Sequence, residues 1–342
     1  MKIAKVLLIY TGGTIGMIED AETGELKAFD FNHLSEQIPE LSRLNVALSS
    51  FSFEEPIDSS DMNLEEWKLI ARTIEKNYDQ YDGFVVLHGS DTMAFTASAL
   101  SFMLQGLQKP VILTGSQLPI GTIRTDGKEN LITAIEIAAE KDENQEAIIK
   151  EVAIYFEYSL YRGNRTTKVS ANLFEAFQSP NYPELAIAGV NINYNSASFY
   201  KTIEENLTVF TDFQTDVALL KIFPGMRVDL FASLFDFSKC KGIILETFGA
   251  GNAPHNKQFH NLITNYLAEG GIILNITQCA SGSVEQGKYK SSSFLNKAGV
   301  INGLDLTTEA AITKLMYLLG AESDRNVVVE KLKENTVGEL SH

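Results

Sequence analysis

Apolar runs alternate with stretches of helical spacing along this chain. The runs at 5–10, 84–88, 111–114, 152–156, 217–223, 243–247 and 272–276 are uniformly apolar, a pattern that predicts strands buried on both faces. Between them, Leu64, Trp67, Ala71 and Ile74 recur at helical spacing after Asp61-Met62-Asn63, and Asp126 opens a second helix through Leu131, Ile135 and Ala138. A third helix runs from Phe259 to Glu269 and stops at Gly270-Gly271, a C-terminal stop signal. Strand and helix in turn predict an α/β fold of stacked βα units around a mostly parallel sheet. The segment 189–212, with Gly189, several asparagines and no periodic apolar face, breaks the rhythm. It reads as a linker between an N-terminal domain (1–188), a larger mostly parallel sheet flanked by helices, and a smaller C-terminal α/β domain (213–342).

Polar clusters sit where the apolar runs stop: Thr11 to Thr14, His88 to Thr92, Thr114-Gly115-Ser116-Gln117 and Thr247 to Asn252. Open parallel sheets bind ligands beyond the carboxyl ends of their strands, so this edge is the expected site. In the first cluster, Gly12 and Gly13 allow a sharp turn and a close backbone approach, and Thr14 presents a hydroxyl just past the strand. The glycines at 12, 13 and 16 do not fit a dinucleotide loop, and no Gly-Lys-Ser/Thr follows to make a phosphate loop. In the second cluster, Asp91 precedes the helical run Met93 to Leu104 and reads equally as its N-cap or as an acceptor for a substrate ammonium group. Ser90 reads as a hydroxyl that orients a water or passes a proton, and His88, on a buried strand, as a hydrogen-bonded core residue. A hydroxyl nucleophile needs a group to take its proton, and none of the five histidines offers itself. Lys168, beyond the strand 152–156, is the better candidate; a free lysine has a pKa of ~10.4, so that role asks for burial or neighbouring cations.

Composition narrows the function classes. The 342 residues are 44% apolar and 21% charged, with a net charge of −16; phosphate binding needs an excess of Lys and Arg, so no nucleic acid partner is expected. Apolar runs fall short of the ~20 residues of a membrane span, and the N-terminus carries no cleavable apolar leader, which sets a cytoplasmic expectation. Cys240 and Cys279 make neither a metal spacing nor a disulfide framework and are expected to be small buried apolar residues. No metal site and no cofactor are expected.

These motifs make the chain resemble the bacterial L-asparaginases, in their cytoplasmic type I branch, over nearly its whole length. The resemblance rests on Thr11-Gly12-Gly13-Thr14-Ile15-Gly16 and on Asp82 to Met93, together with Ile57-Asp58-Ser59-Ser60-Asp61-Met62, Thr166-Thr167-Lys168 and Gly249-Ala250-Gly251-Asn252-Ala253-Pro254. It implies hydrolysis of L-asparagine to L-aspartate and ammonia, with Thr14 forming a covalent aspartyl ester. Ser90, Asp91 and Lys168 would handle the proton, and Ser59, Ser60, Gly89, Ser90 and Asp91 would bind substrate. Backbone donors around Gly89 and Ser90 would hold the oxyanion, usually the largest catalytic term. Asn252 would reach the site of a neighbouring subunit, implying a homodimer or homotetramer.

Three positions depart from the family pattern. Ser90 stands where Thr is usual and lacks the methyl that restricts rotamers. The loop Glu19 to Phe29 contains no Tyr to face Thr14. Glu246 stands where some type I enzymes use an Arg, beside the equivalent of Cys279, to bind a second asparagine; a carboxylate there predicts weak or absent activation by substrate. Two rival readings remain on this fold: an asparaginase-like amidotransferase subunit, which asks for an extra domain and a basic face, and a non-catalytic amino-acid sensor, which would not need Thr14 or Lys168.

Overall fold

The computed structural model describes residues 3–19, 26–28, 38–287 and 290–341. They fall into two compact units, residues 1–179 with 183–211, and residues 180–182 with 212–342.

The first unit is built on a sheet of eight strands: β1 Ala4–Gly12, β2 Val46–Ile57, β3 Gly83–Leu87, β4 Val111–Thr114, β5 Val152–Phe156, β6 Ser159–Arg162, β7 Ala186–Ala188 and β8 Ile192–Tyr194. Their spatial order is β8-β7-β6-β5-β4-β3-β1-β2. From β2 to β5 every pair is parallel, and β6 to β8 add an antiparallel edge. The strands β1, β3, β4 and β5 are almost wholly buried, as uniformly apolar sequences should be. Helices α1 Leu64–Asn77, α2 Met93–Met103 and α3 Gly127–Ala139 flank them. Asn63 caps α1 by accepting from the Glu65 N–H, which satisfies one of its orphan donors.

The second unit carries a four-stranded parallel sheet, β9 Val217–Lys221, β10 Gly242–Thr247, β11 Ile272–Thr277 and β12 Ile301–Asn302, in sequential order. Helices α4 Lys257–Ala268, α5 Lys290–Ala298, α6 Thr308–Ala321 and α7 Arg325–Lys333 complete it. The expected stop after α4 is realised: Gly270 has φ +108°, and the Gly271 N–H donates to the Tyr266 carbonyl at 2.9 Å.

Three expectations differ from what folds. Of residues 189–212, expected as a linker, 189–211 belong to the first unit: β8 pairs with β7, and Thr208–Val209 pairs with Leu104–Gln105. Residues 192–194 and 208–209 pair through their backbone groups, which needs no apolar periodicity. The strand β9 is not buried on both faces; it is an edge strand, and Leu219 is 43% exposed. Cys240 is buried as expected, but Cys279 is exposed. Among the described residues no helix is long and apolar enough to cross a membrane.

A buried ion pair closes the second unit. Lys314 of α6 and Glu339 are both fully buried, with Nζ 2.6 Å from Oε1. Lys314 also donates to the carbonyls of Leu332 and Glu334, while Glu339 accepts the Thr336 and Val337 N–H groups. Removing one partner strands the other charge in a low-dielectric interior. Lys314→Met is therefore expected to cost about 3–5 kcal/mol, read as an earlier urea unfolding midpoint by circular dichroism. Adding Glu339→Leu should return most of the loss; an unchanged midpoint in the single variant would contradict this account.

Candidate active site

The polar clusters at the carboxyl edge of the first sheet come together because their glycines allow backbone to touch backbone. A methyl group on Gly13, whose φ is +85°, would sit 2.5 Å from the Gly89 amide nitrogen. One on Gly89 would sit 2.5 Å from Ser59 Oγ. No other residue type fits at either position. The ends of β1, β2 and β3 are thus in direct contact, with Thr14, Ser59 and Ser90 on adjoining turns.

The first turn is held from below. Thr11 Oγ1 donates to the Leu87 carbonyl at 3.0 Å, tying β1 to the last residue of β3. Tyr10, buried in the sheet, donates its hydroxyl to the Gly16 carbonyl at 3.2 Å, and burial pushes its pKa up to about 12. It therefore keeps its proton at neutral pH. Thr14 lies between these anchors in a short 3-10 turn, Thr14–Gly16. Its hydroxyl has no partner among the described residues. The tyrosine-free loop singled out in the sequence lies largely outside the described residues.

The second cluster resolves the two readings of Asp91. Thr92, not Asp91, stands at the N-cap of α2, and its hydroxyl donates to the Ser59 carbonyl at 2.6 Å. Asp91 instead pairs with Lys168, whose Nζ lies 2.6 Å from Oδ1 and 2.9 Å from Ser90 Oγ. Lys168 reaches this point from a short ladder, Thr167–Lys168 against Phe177–Gln178. The lysine is largely covered, whereas 69% of the Asp91 side chain stays open, leaving a carboxylate free to meet a ligand cation. Among the described residues nothing accepts from the N–H groups of Gly89 and Ser90, so both are available to an anion.

Other expected site residues are placed differently. Ser59 is buried against Gly89, but Ser60 is exposed and its hydroxyl donates to Asp58 Oδ1 at 2.8 Å. That bond and the Ser60 N–H hold the Asp58 carboxyl below the usual range. Asn252 belongs to the second unit, where it forms a two-way backbone bridge with Phe248. Glu246, in the same unit, accepts from Thr308 Oγ1 at 2.6 Å and faces Lys221 Nζ at 3.3 Å; these partners offset part of the repulsion expected of its carboxylate.

One residue was missed. Gln117 places Oε1 3.5 Å from Ser90 Oγ and donates through Nε2 to the Leu173 carbonyl. Its own N–H, with that of Leu118, goes to the Asp126 carboxylate, which stitches the loop after β4 onto the start of α3. Gln117 closes one of the edge clusters visible in the sequence, which was the available signal. No group of three or more His, Cys, Asp or Glu among the described residues could hold a metal ion.

His88 is the core residue its position suggested. It is fully buried, and desolvation pushes its pKa down to about 4. Between pH 6.5, the ordinary value, and pH 4 the unfolded chain binds a proton here that the folded chain refuses. Stability should therefore fall as pH drops through that window, by up to about 1.4 kcal/mol per pH unit. Urea midpoints collected at pH 7 and pH 4.5 should converge in His88→Asn relative to the parent; an equal gap in both would show that His88 carries no such penalty.

The comparisons with known proteins identify the family and the fold. The family described as asparaginase, N-terminal, matches residues 5–200, and the glutaminase/asparaginase C-terminal domain matches residues 216–331. The chain is 42% identical to L-asparaginase 1 of Escherichia coli K12 over 345 aligned residues, covering all of this chain and 99% of that protein. It is 40% identical to a 60 kDa lysophospholipase of Mus musculus, covering 92% of this chain and 58% of that longer protein. The crystal structure of L-asparaginase I from Vibrio cholerae superposes with a TM-score of 0.89 at 38% identity, with 99% of each chain covered. With both domain families matched in order and a full-length relative at this identity, the chain belongs to the asparaginase family, in its bacterial type I branch.

Proposed function

We propose that this protein hydrolyses L-asparagine to L-aspartate and ammonia through a threonine nucleophile, without a cofactor. The observation that carries the reading is the double contact of Lys168 with Ser90 and Asp91 on the turn that touches Gly13. It supports a reading in which a hydroxyl, a carboxylate and an amine work with a second hydroxyl, that of Thr14, which has no partner among the described residues.

In this scheme Thr14 Oγ1 attacks the side-chain carboxamide carbon. The charge that develops on the carbonyl oxygen meets the N–H groups of Gly89 and Ser90, which have no acceptor among the described residues and so need no reorganisation. The C–N bond breaks, the Thr14 proton leaves with the nitrogen as ammonia, and an aspartyl ester of Thr14 remains. Water then adds to the ester carbon and displaces Thr14, which recovers its proton. Ser90 is the relay for these protons because its Oγ already receives a hydrogen bond from Lys168. For Lys168 to accept a proton it must first shed one, and Asp91 Oδ1, 2.6 Å from its Nζ, holds the amine in place against Ser90. The open part of the Asp91 carboxylate meets the substrate ammonium, and Ser59 lies close enough to the Gly89 turn to bind the α-carboxylate.

The same reading assigns Asn252 to a neighbouring subunit's site, hence a homodimer or homotetramer in the cytoplasm. A sensor would have no use for a nucleophile and a relay lysine on touching turns. An amidotransferase subunit asks for a basic face that a chain of net charge −16 does not suggest.

Three measurements test the scheme. Thr14→Ala should lower ammonia release from asparagine by at least about 10³-fold while leaving aspartate binding measurable by calorimetry; activity retained in that variant would remove Thr14 from the chemistry. In the parent, added hydroxylamine should divert product to aspartyl hydroxamate, the mark of an acyl-enzyme. Lys168→Met should cost about 10²–10⁴-fold in kcat, and Lys168→Arg should recover little of it, because a guanidinium does not deprotonate in proteins. Full activity in Lys168→Arg would reduce the lysine to a fixed positive charge.

A further inference from the structure

Three elements of the first unit meet in a buried chain of hydrogen bonds that the scheme above does not use. Trp67 of α1 donates its indole Nε1–H to Thr96 Oγ1 of α2 at 2.9 Å. Thr96 Oγ1 lies 2.9 Å from His88 Nε2, and His88 Nδ1 lies 2.7 Å from the Gly89 carbonyl oxygen. Trp67 is nearly covered, and Thr96 and His88 are fully buried.

The direction of every proton in this chain follows from its ends. A carbonyl oxygen can only accept, so His88 Nδ1 carries a hydrogen. Burial holds the imidazole neutral, with its pKa at about 4, so Nε2 is bare and accepts. Thr96 must then donate to Nε2, and its oxygen is left to accept from Trp67, which can only donate. No member can reverse without leaving a buried group unpaired, at a cost of about 1–3 kcal/mol for each such group.

The chain ends on the Gly89–Ser90 peptide, and a trans peptide is planar with C=O and N–H on opposite sides. Holding the Gly89 carbonyl against His88 therefore turns the Ser90 N–H the other way, where nothing among the described residues accepts it. We propose that the Trp67–Thr96–His88 chain is a positioning device that fixes the Ser90 N–H as an oxyanion donor. The inference rests on the proposed function, since it needs a reaction in which that donor meets developing charge. His88 thus acts through the backbone and transfers no proton to substrate.

A donor aimed at charge present only in the transition state affects kcat, whereas a contact made equally in the ground state affects KM. Thr96→Val removes the hydroxyl at similar volume and frees the imidazole to turn; Thr96→Ser keeps the bond. Thr96→Val is expected to lower kcat by about tenfold or more, a fraction of the 10²–10³-fold seen when an oxyanion donor is deleted outright. KM should move by less than about twofold, and Thr96→Ser should stay within about threefold of the parent. His88→Asn places an amide N–H near the position of Nδ1 and should retain more kcat than His88→Leu.

If these core variants fold poorly, ¹⁵N-labelled histidine in the parent still decides. His88 should show Nδ1 protonated and Nε2 bare at pH 7. A kcat unchanged in folded Thr96→Val, a loss confined to KM, or the opposite tautomer of His88 would each overturn the proposal. The failure of the functional reading itself is distinct, because it appears as ammonia release that survives Thr14→Ala.

Discussion

Gly13 and Gly89 lie so close that a methyl group on Gly13 would fall 2.5 Å from the other's backbone nitrogen. Everything at the candidate site depends on that approach. It brings the turn after β1 onto the turn after β3, and with Gly89 against Ser59 it adds the end of β2. A side chain at either glycine would overlap the facing atoms and force the turns apart. The nucleophile candidate on one turn and the oxyanion donors on the other would then no longer face the same small volume.

The sheet beneath supplies rigidity rather than chemistry. Its central strands β1, β3, β4 and β5 are covered on both faces, so their ends cannot shift without disturbing close-packed residues. The polar anchors transmit this rigidity upward: Thr11 to Leu87, Tyr10 to Gly16, His88 to Gly89 and Asp126 to Gln117 and Leu118. Each joins a buried side chain to the backbone of a turn and stands one step behind the residues that would meet substrate. A site built in this way keeps its reactive groups uncommitted, and among the described residues neither the Thr14 hydroxyl nor the Ser90 N–H has a partner.

Much of the fold was legible because burial on both faces leaves a plain mark. All seven uniformly apolar runs are strands, and the Trp67 and Leu131 helices fold where their spacing put them. The strand β2 escaped because it is an edge strand with most of its residues exposed, so its composition carries little of that mark. The antiparallel strands β6 to β8 escaped because they are only three or four residues long, too short for a periodicity to show, and 189–212 looked like a linker because short ladders draw on backbone groups every residue possesses. At the site, Thr14, Ser90, Asp91 and Lys168 stood out by residue type near strand ends, and Ser59 only through the family resemblance. Gln117, Thr96 and Trp67 did not, since a glutamine, a threonine and a tryptophan are ordinary residues until their partners are known.

The sequence by itself determined the buried parallel strands, the strand ends at which the polar clusters stand and the family to which the motifs belong. Those properties are written in periodicity and local spacing, which act over a few residues. The tertiary structure alone decided that Asp91 pairs with Lys168 rather than capping α2, that Ser60 turns to Asp58, and that a buried imidazole faces the Gly89 carbonyl. Lys168 and Asp91 are 77 residues apart along the chain. Whether such groups meet depends on how strands stack and where loops land, so the choice between two local hydrogen-bonding habits is made only when the rest of the core closes around them.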